Sequence, residues 1–220
     1  MAGVFFVILA SFLWAIDTLI RYPLVEKGID PTVIVFFEHA LLTMMFLPRL
    51  FSGLPRIGEL KFGDAFGFLV IGAGGSALAT VAFTGAFMFL NPSLVILLQK
   101  FQPVIAVILA WIILKEPIPK PFLFWGLVCI LGAVLISAPD VEKVWMLVRT
   151  DPHRLASDAA VQGYGLVGIS VLGWGASTVF GKKLSLAGFE PASMSAGRFF
   201  VGFIALVFFV PWGQKMIFAD

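Results

Sequence analysis

Apolar residues arrive in long blocks, each closed by a short polar or proline-bearing break. Crossing a hydrocarbon core takes about 20 mostly apolar residues. Seven runs come near that length, at roughly 3–22, 32–49, 66–89, 92–114, 121–138, 161–181 and 191–212. The breaks Asp30-Pro31, Asn91-Pro92, Glu116-Pro117-Ile118-Pro119 and Glu190-Pro191 each pair a polar residue with a proline suited to a first helical turn. They predict tight turns between neighbouring helices. The one long connection, 139–160, scatters Asp140, Glu142, Lys143, Arg149, Asp151, Arg154 and Asp158 around an apolar patch at 144–148. It reads as a surface linker lying along the headgroups. Residues 2–16 lack the basic start of a signal peptide, and further apolar runs follow, so they belong to a first spanning helix.

Composition agrees. Of 220 residues, 60% are hydrophobic and 13% charged, about half the charged share of a soluble domain. Thirteen acids and fifteen Lys and Arg cannot cover this much Phe, Leu, Val and Ile with a polar surface, so lipid must. The expected fold class is therefore all-α, a polytopic membrane helix bundle. The net charge of +2, with no basic cluster longer than Lys182-Lys183, sets nucleic acid aside as a partner. The single cysteine, Cys129, allows neither an intrachain disulfide nor a multi-cysteine metal site. No metal and no cofactor are expected.

Small residues recur every fourth position at Gly72, Ser76, Thr80 and Thr84, and again at Gly173, Ser177 and Gly181. Such ridges let helix backbones approach closely. A longer period is also present. Trp14, Thr18, Leu24, Gly28 and Pro31 match Trp174, Thr178, Leu184, Gly188 and Pro191 at an offset of 160, with Asp30 opposite Glu190. Five helices precede the second copy, and an odd number of crossings turns that copy upside down, giving the inverted repeat of many secondary transporters. The expected organisation is a first five-helix repeat over 1–138, a linker over 139–160 and the first two helices of a second repeat over 161–220. A complete second repeat needs about 80 residues beyond Asp220. The expectation is a truncated ten-helix chain, the alternative being a homo-oligomer or partner chain that supplies the missing helices.

Orientation rests on Lys and Arg in the loops. With the N-terminus inside, the inner loops carry Arg49, Arg56, Lys61, Lys115, Lys120, Lys182 and Lys183, and the outer ones Arg21, Lys27, Lys143, Arg149, Arg154 and Lys215. Setting the long linker aside leaves seven against three, which favours a cytoplasmic N-terminus in a plasma (inner) membrane.

The stretch 90–118, LNPSLVILLQKFQPVIAVILAWIILKEPI, carries a central Pro103 and closes on Leu114-Lys115-Glu116. It resembles the fourth-helix signature of EamA-domain transporters in the drug/metabolite transporter superfamily. The stretch 173–200, with Trp174, Pro191 and Arg198, is similar to the first-to-second helix region of an EamA repeat. The resemblance covers essentially the whole chain and implies ten helices in two inverted repeats that move small metabolites, often by exchange or proton coupling. Two departures stand out: the chain stops after helix seven, and helix two carries Glu38-His39 where the second copy has Arg198-Phe199.

Charged groups in hydrocarbon are costly unless paired or facing water, so each is a candidate for function. At 1.5 Å per residue, Glu38 lies about 10 Å and Lys100 about 13 Å below the outer face. The two are expected to pair in a water-filled cavity, with Asp17 or His39 as a second titratable group and Gln99 and Gln102 completing the polar set. Protonation of Glu38 would then release Lys100. Bland alternatives stay open: an Asp17–Arg21 pair one turn apart, a hydrogen bond from His39 to Thr43, and a purely structural Glu38–Lys100 pair. Pro103 removes the hydrogen bond to the Gln99 carbonyl, which suits either a substrate site or a packing kink. Arg198, with no acid at its depth, is expected to meet a partner in further helices or an anionic substrate group. Trp14 and Trp174 either line the cavity or pack. Glu116 is expected to cap a helix at the interface.

The leading expectation is thus a secondary transporter of small metabolites or drug-like solutes working by alternating access. The alternative is a non-transporting membrane subunit or an inactive truncated product. A membrane enzyme finds no HExxH site, no Gly-x-Ser-x-Gly elbow and no paired aspartates on facing helices.

Overall fold

In the computed structural model, residues 2–53 and 60–210 are described. Among them every regular element is helical: α1 (Ala2–Glu26), α2 (Pro31–Gly53), α3 (Phe62–Ala86), α4 (Pro92–Leu114), α5 (Lys120–Ile136), α6 (Ala138–Thr150), a 3-10 turn (Pro152–Ser157), α7 (Ala159–Leu186) and α8 (Pro191–Phe209). Six of these helices are long and apolar enough to cross a membrane, or seven when α5 and α6 count as one bent span. The protein is an integral membrane helix bundle. The ends differ from the sequence reading by a few residues, and the run expected to 212 is helical to Phe209, residues 211–220 lying outside the described set.

The expected linker over 139–160 is mostly helix. After Ile136 the chain bends by 69° into α6. Tyr164 donates its hydroxyl to Asp140 at 2.8 Å and Lys143 meets Asp158 at 3.0 Å, which fastens α6 to the start of α7. Asp158 also caps α7, accepting from the Ala160 and Val161 amides. The hydrogen bond from Lys143 holds the Asp158 carboxyl below its ordinary range.

α3 lies at the centre. Its residues Ala79, Phe83 and Ala86 pack with Phe87, Leu90, Val95, Val167, Val171 and Trp174, while Ala77 packs with Val35 and Leu206. The small residues make this approach possible. A Cβ on Gly75 would stand 2.3 Å from the Ser177 Cβ, and one on Gly173 would stand 2.7 Å from the Ala79 Cβ. Within α3, residues Val70–Leu78 wind as a π-helix. α4 breaks at Lys100-Phe101, where the Lys100 and Phe101 amides bond three residues back and Pro103 follows.

The turns after α1 and α7 are alike in detail. Gly28 and Gly188 hold φ of 85° and 94°, a left-handed conformation open to glycine. Ile29 bonds the Leu24 carbonyl at 3.1 Å and Phe189 the Leu184 carbonyl at 3.2 Å, while Gly28 and Gly188 each bond three residues back. Both are Schellman caps, offset by 160 residues. In the preceding turns, Thr18 donates to the Trp14 carbonyl and Thr178 to the Trp174 carbonyl.

Candidate functional site

The polar groups inside the bundle form two linked clusters. The first is centred on Arg21, which is 4% exposed. Its Nε and Nη2 grip both carboxylate oxygens of Asp17 at 3.1 and 3.0 Å, Nη2 also reaches Glu38 Oε2 at 2.8 Å, and Nη1 donates to Thr84 Oγ1 at 2.9 Å. Thr84 passes its own proton to the Thr80 carbonyl. One buried cation is thus shared by two half-open carboxylates from different helices, with every guanidinium nitrogen occupied.

This corrects the expected Glu38–Lys100 pair. Glu38 is held by Arg21, which reaches it from the C-terminal part of α1. Lys100 forms no ion pair among the described residues. It sits exposed at the break in α4, beside a cavity shared with Leu97, Phe101, Cys129 and Gly132. A Cys129-bearing helix offers no carboxylate there, whereas the α1–α2 turn brings Arg21 and Glu38 to one level. The local Asp17–Arg21 pair is present as one limb of the wider cluster.

The second cluster lies one residue on. His39 is 1% exposed. Its Nδ1 lies 2.9 Å from the Val35 carbonyl, its Nε2 lies 2.9 Å from Ser76 Oγ, and Arg198 Nε donates to the same Oγ at 3.1 Å. A carbonyl only accepts, so Nδ1 carries the ring proton and Ser76 donates to Nε2. The chain of donors therefore runs Arg198 to Ser76 to His39 to the Val35 carbonyl. His39 does not bond Thr43, whose hydroxyl is buried without a partner among the described residues. Arg198 forms no ion pair among the described residues; its contacts are Ser76 and the Phe199 ring, 5.5 Å away.

The remaining candidates are spread around these clusters. Gln102 donates to Thr178 at 3.4 Å, a long bond, and Gln99 Oε1 is buried with no partner among the described residues. Trp14 and Trp174, 160 residues apart, meet edge to face at 5.8 Å and both touch Phe83. Glu116 pairs with Lys182 at 2.5 Å and Arg49 pairs with Glu190, so α4 is tied to α7 and α2 to α8 at one end of the bundle.

Sequence reasoning passed over Arg21 as a hub and took Ser76 and Thr84 for packing residues. Ser76 lies in the π-helix, where the altered winding decides which neighbours its hydroxyl meets. Nothing in the residue pattern announces that register. Ser76 of the second cluster lies in the π-helical stretch of α3, and transporters use such interrupted helices to expose backbone and polar groups.

Comparison with known proteins identifies a family. Residues 1–138 match the model of the EamA-like transporter family. The riboflavin transporter ImpX of Fusobacterium nucleatum is 30% identical over 187 residues, covering 83% of this chain and 59% of that protein. The chain thus spans less than two thirds of the length of that relative. No solved structure matches. By this sequence match, the chain belongs to the EamA-like transporter family.

Proposed function

We propose that the protein contributes the substrate and coupling site of a secondary transporter for small metabolites, working by alternating access. The observation that carries the reading is Arg21, buried in an apolar bundle and shared between Asp17 and Glu38. A charge is retained in hydrocarbon against its desolvation cost only where it is compensated, and such groups mark solute and proton pathways. Glu38 links the two clusters, since it binds Arg21 and adjoins His39. Protonating Glu38 removes one of Arg21's two counter-charges, loosens α2 from α1 and gives the site two states that a proton or solute can bias. Glu38 is the coupling carboxylate, Asp17 the anchor that keeps Arg21 in place, and Gln99, Gln102, Trp14 and Trp174 line the solute path.

The matched caps at Gly28 and Gly188, and the contact between Trp14 and Trp174, support two inverted repeats related through the centre of the bundle. In that scheme residues 1–138 form the first repeat and α7 and α8 belong to the second. The N-terminus is cytoplasmic and the protein resides in the plasma membrane. Transport rather than catalysis is the activity. Riboflavin is the first solute to test, because the matched relative is named for it and an aromatic cluster of Trp14, Phe83 and Trp174 suits a planar ring.

The test is uptake of riboflavin and a panel of small metabolites into proteoliposomes. A solute accumulated by the native protein and not by the Arg21→Met variant supports the reading. Uptake by neither protein above bare lipid, for every solute, refutes it.

A further inference from the structure

We propose that Arg198 is an anion-binding point, holding a carboxylate or phosphate group of the transported solute. The inference rests on the transport reading above and extends it by naming the substrate class.

Among the described residues two arginines, Arg21 and Arg198, lie inside the bundle, and they are treated differently. Arg21 has every nitrogen engaged and two carboxylates beside it. Arg198 has a single hydrogen bond, from Nε to Ser76, and no ion pair among the described residues. Both acids of the neighbouring cluster are already committed to Arg21. Nη1 and Nη2 of Arg198 form no hydrogen bond to any described residue, and these two nitrogens present the parallel N–H pair that matches a carboxylate or phosphate edge. A guanidinium with two nitrogens left without a hydrogen bond to any described residue inside an apolar bundle calls for an anion.

The other side of Arg198 is built to hold it still. Ser76 donates to His39 Nε2, so an oxygen lone pair remains for Arg198 Nε. His39 is locked in turn by the Val35 carbonyl. Two glycines allow the approach: a Cβ on Gly72 would stand 2.9 Å from the Arg198 carbonyl oxygen, and one on Gly202 would stand 2.8 Å from His39 Cδ2. Ser76 itself sits in the π-helical stretch of α3, a distortion that recurs at functional sites. The result is a guanidinium fixed along one edge and free along the other. Ser76 is a positioning residue for it.

The test is peptide-resolved labelling of the purified protein with phenylglyoxal, which modifies accessible arginine. Arg198 is expected to label, and inorganic phosphate or acetate should slow that labelling several-fold, while acetamide, the neutral twin of acetate, does not. Exposed Arg149 serves as the internal control and should be unaffected. Whichever anion protects at lower concentration identifies the preferred group. Ser76→Ala is expected to raise the anion concentration for half-protection in protein that still melts cooperatively. No labelling at Arg198, labelling indifferent to both anions, or equal protection by acetamide would overturn the proposal.

A second arm separates this from the transport reading. Uptake of riboflavin 5′-phosphate in preference to riboflavin, lost in Arg198→Gln, supports both. Anion protection with no uptake of any solute leaves the anion site standing and removes the transport reading. Uptake without protection does the reverse.

Discussion

At the residue scale, the interior is governed by how each charge is compensated. Replacing Arg21 by Met leaves Asp17 and Glu38 facing each other with no cation between them. Removing one partner of a buried pair costs about 3–5 kcal/mol, and the lower end applies because both carboxylates are partly open. The expected outcome is a lower melting temperature in detergent, recovered in part by Asp17→Asn in the same chain. Ser76→Ala strips partners from His39 Nε2 and Arg198 Nε together. Unsatisfied buried groups cost about 1–3 kcal/mol each, so this small truncation should lower the melting point well beyond the shift for Ser177→Ala. Which residues would be polar and intramembrane was legible from the sequence: Asp17, Glu38, His39 and Arg198 were all singled out. Their partners were not, because depth along a helix says nothing about which way a side chain faces. Glu38 and Lys100 share a level but not a neighbour, and Arg21 was read only as a local mate of Asp17.

At the element scale, α3 is the helix the others pack on. Gly75 and Gly173 sit where α3 and α7 touch, and the added Cβ of Gly75→Ala would fall on a Cβ that cannot swing away. Overpacking of this kind costs about 1–3 kcal/mol. Gly74→Ala, whose Cβ would meet nothing within 4 Å, is the matched control and should leave the melting temperature near the native value. The small-residue ridges were visible as a period of four, and the structure uses them for helix approach. The π-helix and the α6 bend were not visible, since each depends on packing between segments distant in sequence. Asp158 holds α6 to α7 through Lys143 and caps α7 as well. Its carboxyl titrates below its ordinary range, so the stabilisation is present above the ordinary carboxylate pKa and is lost as pH falls through the lowered value. Hydrogen exchange in α6 should therefore rise on strong acidification, and in Asp158→Ala it should be fast already at neutral pH. Exchange in α6 that is unchanged by either would show that the fastening lies elsewhere.

At the scale of the whole molecule, polar groups drawn from α1, α2, α3 and α8 meet inside one apolar bundle, and α2 carries Glu38 and His39 side by side into both clusters. The 160-residue offset found in the sequence reappears in the paired caps at Gly28 and Gly188 and in the contact of Trp14 with Trp174. Positions related by that offset carry opposite charge at Glu38 and Arg198. A molecule of this design should couple solute movement to protonation at Glu38. The most direct measurement is solute uptake into proteoliposomes with and without an imposed pH gradient, for the native protein and for Glu38→Gln. Glu38 as the coupling carboxylate predicts gradient-driven accumulation in the native protein and only gradient-independent exchange in Glu38→Gln. Equal stimulation of both by the gradient would contradict it.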